Sequence, residues 1–174
     1  MSDEAVRVPA GLSTDGLLGR RYMARFIDSV FIGLLIGAVL GLEGILIKPI
    51  VGGPAIVLLG LFNLSLVMVL WIGYFTAFEF SRWQATLGKR FMGLRVYNTE
   101  AGRPAPLQAA GRSLVKDGPF LVLAFIPGGR LLALIWLGAH LVVLHRSPVY
   151  QAIHDRAAHT WVAAPEGTTQ LHLS

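Results

Sequence analysis

Residues 55–78 read AIVLLGLFNLSLVMVLWIGYFTAF. As a helix this stretch rises about 36 Å, more than the ~30 Å hydrocarbon core of a bilayer. The uncharged run is longer still, from Pro49 until Glu79 breaks it. Trp71 and Tyr74 fall towards its end, where interfacial aromatics are expected. A run of this length without charge predicts a membrane-spanning helix. Upstream, Lys48, Pro49, Gly52, Gly53 and Pro54 interrupt helical periodicity. Before that break, residues 26–47 make a span of about 33 Å that holds Asp28 near its start and Glu43 near its far end.

Composition agrees with a membrane protein. The 174 residues are 54% hydrophobic and only 14% charged, and the mean hydropathy is +0.61. A soluble domain usually carries about 25% charge, and disordered chains are poor in apolar residues. The absence of cysteine removes disulfide scaffolds, thiol nucleophiles and Cys zinc sites. Residues 1–19 read as a polar tail without the short apolar stretch and cleavage site of a signal peptide. No internal repeat or low-complexity tract stands out.

Downstream, residues 80–106 form a basic loop in which Leu94-Arg95-Val96-Tyr97 alternates as a short strand or hairpin arm. Pro127-Gly128-Gly129 divides the next region into 107–126 and 130–146. These are either two crossings or a surface helix and then one broken span. Loop charge arbitrates. Four spans place Lys48 and Arg130 outside and the other basic residues on or bordering the cytoplasmic side, whereas three would place Arg146 and Arg156 outside. The expected fold is therefore an all-α bundle of about four transmembrane helices, near 26–47, 55–78, 107–126 and 130–146. Both termini are cytoplasmic, and residues 164–174 form a tail. Thr160–Ala163 is a second short strand that could pair with Leu94–Tyr97. The net charge of +5 is explained by this topology and does not call for nucleic acid, whose recognition motifs are missing.

Arg25 and Asp28 are the first candidate site residues. Their i,i+3 spacing sets them on one helix face as a prospective ion pair. A charge inside a span costs at least ~2.5–3.5 kcal/mol, so the pair reads either as an interfacial anchor or as a polar site facing the bundle interior. Gly33, Gly37 and Gly41 continue along the same helix as a small-residue packing stripe. Glu79 begins the basic loop and reads as a local cap or pair. Asp155 precedes the last strand, between His154 and Arg156. His154, Asp155 and His159 match no standard metal-ligand spacing, and His140 and His145 read as interfacial packing. Hydrolase, zinc-protease, Walker and Rossmann signatures are absent, so neither an enzyme nor a cofactor is expected.

Three ordered segments resemble the RDD family of membrane proteins, named for one Arg and two Asp. Arg21-Tyr22-Met23-Ala24-Arg25-Phe26-Ile27-Asp28 resembles its opening. Thr86-Leu87-Gly88-Lys89 through Gly93-Leu94-Arg95-Val96 resembles its Thr-Pro-Gly-Lys…Gly-Leu-Arg-Val loop, with Leu87 in place of Pro. Asp155-Arg156-Ala157-Ala158-His159-Thr160-Trp161-Val162 resembles its closing segment, with Ala157 in place of Leu. The resemblance covers residues 18–163 and makes Arg25, Asp28 and Asp155 the name-giving triplet. It implies a cell-membrane location and transport of an unassigned ligand. Together with the residues, it leads to an expectation of cation- or proton-linked transport in which Asp28 exchanges protons or binds a cation and Asp155 closes the inner mouth against Arg25 or the Gly88-Lys89 loop. The rival expectation is an accessory membrane protein whose charges fix helix register. The expected partners are the lipid bilayer and either a second copy or a membrane protein.

Overall fold

A computed structural model describes residues 11–14, 16–123 and 126–165. Along the chain run β1 (Leu12–Ser13), α1 (Leu17–Leu46), α2 (Ala55–Phe80), α3 (Leu87–Phe91), β2 (Arg95–Asn98), α4 (Pro106–Leu123), α5 (Gly129–Arg146), α6 (Ile153–Ala157) and β3 (Thr160–Pro165). The Pro/Gly break after α1 works as expected: Gly53 takes φ +57° and α2 begins directly after Pro54. Gly128, at φ +76°, turns the chain into α5.

The predicted strands pair with each other. β2 and β3 run antiparallel, with Arg95 opposite Ala163 and Tyr97 opposite Trp161. Asn98 folds the chain after β2 by accepting the Glu100 and Gly102 N–H groups. β1 adds to the free edge of β3, giving the strand order β1-β3-β2. The expected tail over residues 1–19 is therefore ordered from Leu12 onward where described. α1 starts at Leu17, well before position 26, because Leu17 is a buried member of the core formed by Ala24, Leu94, Val96 and Val162. Residues 1–10 and 166–174 lie outside the described residues.

Three helices, α1, α2 and α5, are long and apolar enough to cross a membrane. At about 45 Å, the 30 residues of α1 exceed the hydrocarbon thickness by several turns, and its first turns carry Arg20, Arg21 and Arg25. The outer surfaces of all three are apolar, with Leu34, Ile45, Leu58, Val69 and Leu131 exposed. The count of four is not met by length and composition, because α4 carries Arg112, Lys116 and Asp117. Yet α4 is patterned inside out. Arg112 is buried between Glu79 of α2 and Asp155 of α6, and Asp117 is buried against Arg25 of α1, while Leu107 is 82% exposed and Leu114 and Val122 point outward.

Gly33, Gly37 and Gly41 differ from expectation. A Cβ added to any of them would meet nothing within 4 Å. The close helix contact read into this stripe is not made within the described chain, because α1 packs on α2 and α3 through its other residues, Ala24, Asp28 and Ile32 among them.

Candidate functional site

The charged residues of the helices gather where α1, α2 and α4 meet the loops. Asp28, 1% exposed, does not pair with Arg25. Its carboxylate accepts from three groups: the Tyr74 hydroxyl at 2.9 Å, the Thr86 hydroxyl at 2.5 Å and the Gly88 N–H at 2.8 Å. Thr86 also caps α3, accepting the Lys89 N–H at 3.5 Å. Asp28 thereby ties the short α3 across α1. The crossing is so close that a Cβ on Gly88 would lie 2.1 Å from the Ala24 carbonyl oxygen.

Because every partner of Asp28 donates, Asp28→Asn is not a silent probe of charge. An amide NH₂ would face a donor and leave one buried group unmet, at about 1–3 kcal/mol. Thermal unfolding in lipid nanodiscs should show a clear drop in midpoint for Asp28→Asn. An unchanged midpoint would contradict this geometry.

Arg25 turns to α4. Its guanidinium meets Asp117 at 2.5 Å and lies 4.6 Å from the centre of the Phe75 ring, with its side chain 37% exposed. Lys116 covers the same ring at 3.8 Å and approaches Asp117 at 3.4 Å. Asp155 is fully buried and contacts neither Arg25 nor the Gly88-Lys89 segment. It pairs with Arg21 at 2.6 Å and Arg112 at 2.5 Å, and accepts the Ala152 N–H at the start of α6. The two aspartates of the family triplet thus serve separate junctions, and the arginines that reach Asp155 are Arg21 and Arg112 rather than Arg25.

Arg112, 1% exposed, bridges Asp155 to Glu79, which Lys89 meets at 2.5 Å. The sequence reading gives Glu79 only as a local cap or pair and does not single out Arg112, Asp117 or Arg21 as partners. The signals were present: Glu79 ends a long uncharged run, and Arg112, Lys116 and Asp117 recur at i, i+4 and i+5 on an otherwise apolar helix.

Outside the spans, burial alone raises the Asp155 carboxyl, but Arg112 and Arg21 outweigh it and hold the group well below the usual carboxylate range. Asp155 is thus an ionised tie rather than a proton exchanger. Burial keeps His154 neutral, against the pull of Asp155, and its ring stacks on His140 with centroids 5.2 Å apart. Burial pushes Lys89 down to about 7 even though Glu79 opposes it.

This carries a pH signature. Between pH ~7 and ~10 the unfolded chain binds more protons at Lys89 than the folded one. Stability from this group therefore rises with pH across that window and is flat below it. Unfolding midpoints from pH 6.5 to 9.5 should show the rise in the native protein and a shallower rise in Lys89→Met. Parallel curves would contradict it.

Beside the cluster lies a cavity of about 400 Å³ between α1, α2, α4 and α5. Trp71, Phe75, Phe120, Trp136 and Leu137 form apolar walls, and Arg21, Arg25, Lys89, Arg112 and Lys116 supply cations. Among the described residues no group of three or more His, Asp or Glu is placed to hold a metal ion, and His159 is exposed, away from the buried His154 and Asp155.

Apolar helices with lipid-facing exteriors and an internal charged end define a multi-pass helical membrane protein. The model of the RDD family matches residues 16–159, most of the chain, and the protein belongs to that family. No curated protein and no solved structure matches it.

Proposed function

We propose that this protein is a transport component of the cell membrane that admits a small ligand into the chamber between its helices. The cavity carries this reading: it has the ~300–1,000 Å³ size of a small-molecule site, and it borders buried charges that membrane helices rarely hold without function. In this reading the chain crosses four times, α4 included, with both termini cytoplasmic. The inside-out pattern of α4 supports that count, as does the β1–β3 pairing, which joins the first and last described strands. No enzyme chemistry and no cofactor are invoked.

The coupling group differs from the sequence expectation. Each of Asp28, Glu79, Asp117 and Asp155 already has a donor or cation, so a bare cation finds no free carboxylate. Lys89, which burial brings to the edge of neutrality at pH 7, is the group that fits proton linkage. In proteoliposomes holding a pH dye, imposed gradients of Na⁺, K⁺ or octanesulfonate should move protons or probe faster than in empty vesicles. Equal traces for all three would contradict the reading.

The accessory reading draws on the open Gly33/Gly37/Gly41 stripe, a face suited to a second copy or a partner helix. It forecasts an oligomer in native-lipid particles that Gly37→Leu disperses. A monomer would count against it.

A further inference from the structure

We propose that the cavity is a binding site for an amphipathic anion, one carboxylate, sulfonate or phosphate head on an apolar body. The inference rests on the chamber reading above and names its ligand class.

Charge is the first support. Five cations line the cavity, against only Asp28 and Asp117 among the acids. With Glu79 and Asp155 added from behind the wall, four carboxylates face five basic side chains, of which Lys89 sits at the edge of neutrality at pH 7, so the positive excess belongs to the cavity lining itself. A surplus positive charge in an apolar setting is costly until an anion joins it.

Unmet donors are the second. Trp71 Nε1, Trp136 Nε1 and Arg112 Nε are buried and have no hydrogen-bond partner among the described residues. All three belong to residues lining this cavity, and none of the three atoms can accept a hydrogen bond. His140 Nε2 and His154 Nδ1 on the same lining also lack a partner, so the unmet set is rich in donors without being donor-only, and it suits an acceptor-rich group better than a second cation.

Shape is the third. α5 leans on α4 and α6 rather than on α1 or α2, and the space left between these pairs is walled by Phe120, Leu137, Leu141 and the two tryptophans. Those walls match an alkyl or aromatic body. Such a ligand could enter from the bilayer as an anionic lipid or from water as a soluble amphiphile.

The test uses the full chain in nanodiscs of zwitterionic lipid and reads tryptophan fluorescence. Added 11-bromoundecanoate should give a saturable quench, at least about tenfold tighter than 11-bromoundecanol, as expected for one charge-assisted contact. Unbrominated undecanoate should relieve it. Brominated phosphatidylglycerol in the nanodisc serves as the lipid arm. Quenching by that lipid which excess undecanoate relieves points to the bilayer as the source, and quenching by the acid alone points to water; either supports the proposal, whereas lipid quenching that undecanoate leaves untouched lies outside the cavity and counts against the lipid source. Removing both cations that flank Phe75, with Arg25→Gln and Lys116→Gln, should weaken the acid and leave the alcohol unchanged. The native-protein comparison of acid with alcohol holds even if that variant does not fold. Equal affinity for acid and alcohol would overturn the anionic assignment and leave the chamber standing. Absence of saturable quenching by either would overturn both.

Discussion

Arg112→Met should cost the protein about 3–5 kcal/mol, the effect of removing one partner from a buried ionic network. Arg112 is the only described side chain that touches both Glu79 and Asp155, and so the only one joining the end of α2 to α6 through α4. Its loss leaves two buried carboxylates with one cation each, Lys89 and Arg21. Arg112→Lys should fail as well, because a single ammonium lacks the fork that spans two carboxylates. Adding Glu79→Gln to Arg112→Met should recover part of the loss, since it removes one under-neutralised charge. Unfolding midpoints of the two single variants and the double variant measure this coupling directly. Strictly additive losses would show that Arg112 and Glu79 do not interact as described.

Gly88→Ala is the second large effect. The added methyl would sit 2.1 Å from the Ala24 carbonyl oxygen and 3.0 Å from the Asp28 carboxyl carbon. The first of these is backbone and cannot swing away. α3 would have to lift, drawing the Gly88 N–H and the Thr86 hydroxyl off Asp28. Overpacking of this kind costs about 1–3 kcal/mol, and a buried acceptor stripped of its donors costs a comparable amount again. Ala24→Gly should not rescue the variant, because the obstructing atom belongs to the main chain. A Gly88→Ala protein with an unchanged midpoint would contradict the close α1–α3 crossing.

These effects locate where sequence reasoning succeeds and where it stops. The three long apolar helices were legible because lipid imposes a length and a lack of charge that few other settings require. The 55–78 and 130–146 readings fall within two residues of α2 and α5. The β2–β3 pairing was legible because two short alternating segments each needed a partner. Partner choice among charges was not. Arg25 and Asp28 are near in sequence, and helix geometry allowed them to pair. Yet Asp28 found three donors, one each from α2, the loop after it and α3, and Arg25 found Asp117 on α4. Those choices depend on how helices far apart in sequence come together, which i,i+3 spacing does not encode. The occupant of the glycine stripe was not legible for a related reason: small-residue spacing marks a face fit for close approach without naming what approaches it, and within the described chain nothing does.

Labelling of single cysteines tests the central claim most directly. The chain has no cysteine of its own, so each introduced thiol reports alone. Ser29 lines the cavity, whereas Leu34, also on α1, lies on the outer apolar surface. In sealed membrane vesicles a charged, membrane-impermeant thiol reagent should modify Ser29→Cys readily and Leu34→Cys barely, and undecanoate should protect the former. Leu34→Cys reacting as fast as Ser29→Cys, or Ser29→Cys remaining inert in a folded protein, would contradict a ligand-accessible chamber beside the buried charges.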